Sequence, residues 1–313
     1  MGKSETHLAR SVLMIRPVAF HSNPQTASSN PFQQDPGAVD RALEQRAAAT
    51  QFQGLVDALL AAGVAVVVEP DTPEPETPDS IFPNNWVSLH ADGSVVLYPM
   101  MAPNRRAEVR PDIIERLSSD RGFRVDRVID MTSHASGGHF LEGTGSMVLD
   151  RVGRVAYACI SPRTRLEALA DFGQRLDYDI VAFSAVDRNG IPIYHTNVMM
   201  SIGEDFAVIC DESIEDPDQR DAVWRKLEDS GKEVISITRA QMRRFVGNCL
   251  QLEATNGGRL IAMSRQAEEA LEEGQLTRLR THGRIVSAPV QDIERSAGGS
   301  VRCMLAEIHL PVR

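Results

Sequence analysis

The chain has 313 residues, 42% hydrophobic and 24% charged, a globular composition with length enough for one large core or two ordinary domains. Its net charge is −10, with Lys and Arg scattered rather than gathered into a basic block, which argues against nucleic acid or an anionic membrane as the main partner. No run of eighteen apolar residues occurs, and the apolar run before Pro17 is too short for a secretory signal, so a soluble cytoplasmic protein is expected. The opening MGKSET matches a myristoylation pattern, but no second membrane signal accompanies it.

From the N-terminus, a short strand at 11–17 leads through the polar loop AFHSNPQTASSNPFQQDPG to a helical pattern at 41–63. There Leu55, Leu59 and Leu60 recur at helical spacing, giving one inward face. An apolar strand at 64–70 and the loop PDTPEPETPDS follow, and then a hairpin opens at Asn84, NNWVSLHADGSVVLYPM. A helix at 110–122 and a strand at 123–131 come next. The loop TSHASGGH leads to a second hairpin from Glu142, with a helix at 162–176 and a strand at 179–183. Third and fourth hairpins open at His195 and Asn248, each again followed by a helix (216–231 and 264–283) and a strand (232–237 and 284–290). Turns such as ADGS and TNGG between apolar, β-branched runs are hairpin signals, and Gly63, Gly122, Gly231 and Gly283 stand where helix C-caps belong. After the Gly-rich stretch QDIERSAGGSVR the chain ends on CMLAEIHLP.

The hairpins start 53 to 58 residues apart, and 55 more reach Cys303. A steady period of that length marks a repeat architecture. The fifth copy is split: its first strand ends the chain and its second begins it, so pairing the two ends would close a ring. Five ββαβ modules are therefore expected, as one α/β domain spanning 1–313.

Modules set about an axis would bring equivalent positions to one central space: Asn84 and Asn85, Glu142, His195, Asn248 with Cys249, and Cys303. A thiol, an imidazole and a carboxylate together suit nucleophilic catalysis. Cys303 would attack, His195 would move protons because an imidazole titrates near neutrality, and Glu142 would hold the imidazole. Whether Glu142 or Asp79 orients His195 stays open from sequence. Cys159 and Cys210, inside apolar strands, read as core residues; Cys249 is left undecided. His90, His139 and His309 read as structural or surface residues. No metal-ligand spacing is present, so neither metal nor cofactor is expected.

Several stretches, PDSIFPNNW at 78–86, LEGTGSMVL at 141–149, SPRT at 161–164, HTNVMM at 195–200 and the terminal Cys303, occur in the order found in the guanidino-group-modifying superfamily. The chain resembles those arginine deiminases, dimethylarginine dimethylaminohydrolases and amidinotransferases over nearly its whole length. The resemblance implies a five-bladed pseudo-symmetric α/β propeller, or pentein. It also implies a catalytic set of Cys303, His195 and Glu142, with Asp79 gripping the substrate's terminal nitrogens and Arg163 with Arg105 or Arg106 on its carboxylate. Asn23 is a further candidate contact.

Where deiminases and dimethylarginine hydrolases carry an acidic residue, this chain has Asn84 and Asn85. Amides offer both a donor and an acceptor, which suits a neutral ureido group better than a guanidinium. With MIRPVAF and APNRRAE, the pattern is most similar to citrulline-utilisation hydrolases. The expected reaction is citrulline to ornithine, ammonia and carbon dioxide through a covalent Cys303 intermediate. Arginine deimination or dihydrolysis, amidino transfer, and silent amino-acid binding are the alternatives. The expected partner is a small amino-acid substrate, with a homo-oligomer left open.

Overall fold

The computed structural model describes residues 6–34 and 40–313. The first five residues, which carry most of the myristoylation pattern, and residues 35–39 of the first polar loop lie outside the described residues. The described strands are β1 (Ser11–Arg16), β2 (Ala65–Pro70), β3 (Val87–Leu89), β4 (Ser94–Leu97), β5 (Arg127–Asp130), β6 (Val148–Asp150), β7 (Val155–Cys159) and β8 (Asp179–Phe183). They continue as β9 (Met200–Ile202), β10 (Phe206–Ile209), β11 (Glu233–Ser236), β12 (Leu250–Glu253), β13 (Arg259–Ser264), β14 (Arg284–Ala288) and β15 (Ala306–Ile308).

One pairing rule recurs. A first strand lies antiparallel to a second, and the second lies parallel to a third, in β3-β4-β5, β6-β7-β8, β9-β10-β11 and β12-β13-β14. The chain's two ends build the same unit: β15 is antiparallel to β1, Ser11 opposite Ile308, and β1 is parallel to β2. A parallel contact of Ile308 with Leu89 joins this unit to β3-β4-β5 in a six-stranded sheet, beside three separate three-stranded sheets, none of which closes on itself. Strands β4, β7 and β10 are buried throughout, which is why they read as unbroken apolar runs rather than alternating ones. The parallel third strands require crossovers, and helices Arg41–Ala61, Pro111–Ser119, Leu166–Leu176 and Pro217–Asp229 supply them. In the first of these Phe52, Leu55 and Leu59 are buried, while Leu60 faces solvent.

Local details differ from the sequence reading. The expected helix at 264–283 is two helices, Arg265–Ala270 and Glu273–His282, because Glu272 caps the second in a reciprocal box with Gln275. The Gly-rich stretch before Cys303 is not a loop throughout: Gln291–Ala297 is helical and ends on Gly298 in the left-handed region. Residues Thr132–Gly137, expected as loop, form a 3-10 turn. Gly63, Gly122 and Gly231 take positive φ, whereas Gly283, at φ 169°, is extended.

The difference that matters most lies ahead of the first strands. The residues expected to open them sit instead on or beside short helical turns: Pro83–Asn85 before β3, Gly143–Ser146 before β6, Thr196–Val198 before β9 and Val301–Met304 before β15. Counting three residues back from each first strand gives Asn84, Gly145, Asn197, Gly247 and Cys303. No helix among the described residues is long and apolar enough to cross a membrane.

Candidate active site

The turns surround a cavity lined by Asp79, Asn85, Arg105, Arg163, Tyr194, His195 and Cys303, with Asn30, Phe82, Ala297 and Gly299 completing the wall. Close packing of the turns depends on glycine. Gly143 has φ +48° and a Cβ there would lie 2.3 Å from Asn84 O; a Cβ on Gly145 would lie 2.4 Å from Asn85 Nδ2 and 2.8 Å from His195 Nδ1. The backbone at 143–145 thus makes room for the imidazole.

Glu142, fully buried, collects the charge of the site. Its Oε2 accepts from His195 Nε2 at 2.8 Å and stands 3.5 Å from both Arg105 Nη1 and Arg163 Nη1, while Oε1 accepts from Met101 N at 3.0 Å. Glu142, not Asp79, is therefore the carboxylate on His195. Burial alone would raise Glu142, but the Arg163 charge, the His195 hydrogen bond and Arg105 outweigh it and hold the carboxyl well below the usual range. Burial lowers His195 to about 4 against the pull of Glu142. An ionised carboxylate can only accept, so Nε2 carries the imidazole proton and Nδ1 is the basic nitrogen.

Arg105 is gripped by Glu108 through two bonds of 2.9 Å and donates from Nη1 to Asn85 Oδ1 at 3.0 Å. Its Nε lies 3.6 Å from Asp79 Oδ2. Burial pushes Glu108 up to about 8 in spite of Arg105, with Asp79 and Glu142 adding to the rise. Arg163 is held by Ser29 Oγ at 2.8 Å and Thr26 O at 3.2 Å, and lies over the Tyr194 ring. Asp79 Oδ2 accepts from Asn23 Nδ2 at 2.8 Å, whereas Asp79 Oδ1 is buried with no hydrogen-bond partner among the described residues.

Cys303 is 2% exposed. Its sulfur receives Asn248 Nδ2 at 3.3 Å and Asn197 Nδ2 at 3.5 Å. Cys249, the thiol left undecided, bonds Ser201 Oγ at 2.9 Å and lines a different cavity with Arg302 and Glu307; burial pushes it up to about 11. Cys159 and Cys210 are buried in β7 and next to β10.

Asn23 and Glu142 are not in the cavity wall and act on it through Asp79 and His195, and two further candidates stand apart from it. Arg106 leaves the far side of its 3-10 turn, donating to Met100 O and Met101 O and lying over Phe140, so of the pair Arg105-Arg106 only Arg105 faces the cavity. Asn84 sits behind Asn85, its Oδ1 taken by Asn85 Nδ2 at 3.0 Å and its own amide given to Thr144. Sequence reasoning missed Glu108, Asn197, Tyr194 and Asn104, which donates to Asn23 at 2.9 Å. Asn197 had a signal, because it shares the repeat register of Asn84 and Cys303. Among the described residues no three His, Cys, Asp or Glu side chains are placed to hold a metal ion.

The fold has solved relatives. The apo arginine dihydrolase ArgZ from the ornithine-ammonia cycle in cyanobacteria superposes with a TM-score of 0.74 at 17% identity, over 97% of this chain and 41% of that one. AgrE in its ternary complex with ornithine and NAD+ gives 0.74 at 21%, over 98% and 40%. This chain thus spans about two fifths of those longer proteins. A dimethylarginine dimethylaminohydrolase adduct with S-methyl-L-thiocitrulline gives 0.65 at 17%, over 96% and 99%. At these identities the likeness shows the mixed α/β fold. No curated protein matches by sequence. A sequence family described as N,N dimethylarginine dimethylhydrolase, eukaryotic, does match, over residues 16–310. The chain belongs to that family.

Proposed function

We propose that the cavity takes the guanidinium of an arginine-type amino acid and hydrolyses one of its C–N bonds through a covalent bond to Cys303. The observation that carries this is Asp79 Oδ1, a carboxylate oxygen buried in the cavity wall without a partner among the described residues. An orphaned buried acceptor is costly unless a ligand donor completes it. Geometry supports the same choice, since Arg105 makes its short pair with Glu108 at 2.9 Å and stands 3.6 Å from Asp79, so that Asp79 keeps an oxygen for a cationic ligand. The sequence argument for citrulline rested on Asn84 and Asn85, whose amides are engaged with each other, Thr144 and Arg105.

The steps use this chain's own groups. Neutral His195 takes the Cys303 proton as the sulfur adds to the guanidino carbon. The imidazolium, stabilised by Glu142, returns that proton to the departing amine. A water then adds to the thiouronium carbon, losing its proton to His195, and expulsion of the sulfur regenerates Cys303. Arginine gives citrulline and ammonia by this route; a second round on the ureido carbon gives ornithine, ammonia and carbon dioxide.

We further infer that the five units stand around one axis as an α/β propeller, making 1–313 one catalytic domain. The shared register of Asn84, Gly145, Asn197, Gly247 and Cys303 supports that closure. Four free cysteines fit a reducing compartment, the cytoplasm.

The test is separate incubation with arginine, dimethylarginine and citrulline, without an acceptor amine, with products quantified. Turnover of a guanidino compound is expected. Turnover of citrulline alone would restore the ureido reading; product only with an added amine acceptor would make the protein an amidinotransferase. Binding without product would make it an amino-acid-binding protein.

A further inference from the structure

Among the described residues no cationic side chain hydrogen-bonds the nucleophile. Among the described residues the hydrogen-bond partners of Cys303 Sγ are two amides, Asn248 Nδ2 at 3.3 Å and Asn197 Nδ2 at 3.5 Å. His195, Asp79, Arg105, Arg163 and Tyr194 share the cavity wall, and His195, Arg105 and Arg163 are all committed to Glu142. Arg302, next to Cys303 on the same turn, sends its guanidinium away to Leu305 O and Glu307.

The orientation of Asn248 is fixed by its other partners. Its Nδ2 also donates to the carbonyl of Asn197 at 2.7 Å, and its Oδ1 accepts from Arg302 N at 3.0 Å. A carbonyl can only accept and a backbone N–H can only donate, so the amide cannot be flipped, and an N–H must face the sulfur. Asn197 has more freedom, with Nδ2 at 3.5 Å and Oδ1 at 3.7 Å from Sγ. It can accept from the thiol and donate to the thiolate. Both side chains are buried, where a donor aimed at an anion is most effective.

We propose that Asn248 and Asn197 form a two-amide anion hole for the sulfur of Cys303, stabilising the thiolate as nucleophile and as leaving group in place of a neighbouring cation. Asn248 also clamps the turn that carries the cysteine, through Arg302 N, so one side chain both places the sulfur and bears its charge. This rests on the reading of Cys303 as nucleophile, but its test does not use turnover.

The experiment is an ultraviolet titration of thiolate absorbance in the full chain, with the Cys303→Ser protein subtracted to remove the other three thiols. A hydrogen bond to a charged group lost from Asn197→Ala or Asn248→Ala should raise the titration midpoint by about one to two pH units, leaving roughly tenfold to hundredfold less thiolate at neutral pH. Asn248→Asp keeps an acceptor for Arg302 N but sets a carboxylate oxygen against the sulfur, and should raise it further. Midpoints within about 0.3 unit of the parent, in variants with unchanged circular dichroism, would overturn the proposal, since that shift is at most about a third of the loss expected for a charged hydrogen bond. If Asn248 variants fail to fold, Asn197→Ala decides the matter, because its amide nitrogen is directed at Cys303. Should Cys303→Ser retain turnover, the nucleophile reading fails whatever the titration shows, so the two failures are separable.

Discussion

Replacing Glu142 by Gln removes one charge at constant shape, and the structure shows that neither orientation of the new amide can satisfy its neighbours. Glu142 accepts on both oxygens, from Met101 N at 3.0 Å and from His195 Nε2 at 2.8 Å. If the amide oxygen faces His195, the NH2 opposes the Met101 N–H and leaves it unsatisfied. If the NH2 faces His195, the imidazole must change tautomer and Nδ1 ceases to be basic. In both cases Arg105 and Arg163, each 3.5 Å away, lose a counter-charge, and the imidazolium formed during turnover loses its partner. Breaking one side of a buried charge pair costs about 3–5 kcal/mol. Felt in the transition state, this is a loss of roughly 100- to 10,000-fold in kcat. Single-turnover rates with arginine, on protein whose circular dichroism matches the parent, measure it. A kcat within about tenfold of the parent, less than 1.4 kcal/mol, would refute the role given to Glu142.

Other consequences follow from the same geometry. Asp79→Asn should raise KM for arginine by about 10- to 100-fold, the size of a lost charged hydrogen bond, and affect citrulline less, as parallel steady-state assays would show. Gly145→Ala pushes a methyl against Asn85 and His195; it should cost about 1–3 kcal/mol in denaturant unfolding and, by displacing the imidazole, at least about 100-fold in kcat. Stability should fall on acidification. Burial lowers His195 and His309 to about 4 and depresses His7 and His90 as well, while the unfolded chain takes up those protons near 6.5. The stabilisation is therefore complete above pH 6.5 and lost progressively as pH falls toward 4. Glu108, raised to about 8, and Glu294, also raised by burial, work the other way above 4.5, as two groups against four histidines. Melting temperatures across pH 4–7 that did not drop on the acid side would contradict this balance.

Much of the fold was legible because the same physical demand recurs five times. A buried second strand needs an unbroken apolar run, and its parallel partner needs a helical crossover, so the period appeared before any element was certain. What escaped was local. The turns bearing Asn84, Gly145, Asn197 and Cys303 looked like strand starts, since apolar residues follow at once and nothing in a three-residue segment separates a 3-10 turn from an extended one. The helix at Gln291–Ala297 was hidden by the glycines that end it. In the site, repeat register brought His195 and Cys303 to one cavity with Glu142 behind the imidazole, but it could not show which atoms were already taken. Asn84 and Asn85 read as ligand contacts by residue type, and their hydrogen bonds to Thr144 and Arg105 appear only in three dimensions. Arg105 and Arg106 are adjacent in sequence, and the helical turn alone sends one inward and the other out. Glu108 was missed because a carboxylate three residues after an arginine reads as an ordinary surface pair.

The role of Cys303 is tested most directly by quenching the protein with acid during turnover of arginine and mapping covalent adducts by peptide mass spectrometry. A thiouronium adduct confined to the peptide that carries Cys303, and absent from Cys303→Ser, is expected. Turnover without any cysteine adduct and undiminished in Cys303→Ser, or an adduct on Cys249 instead, would contradict it.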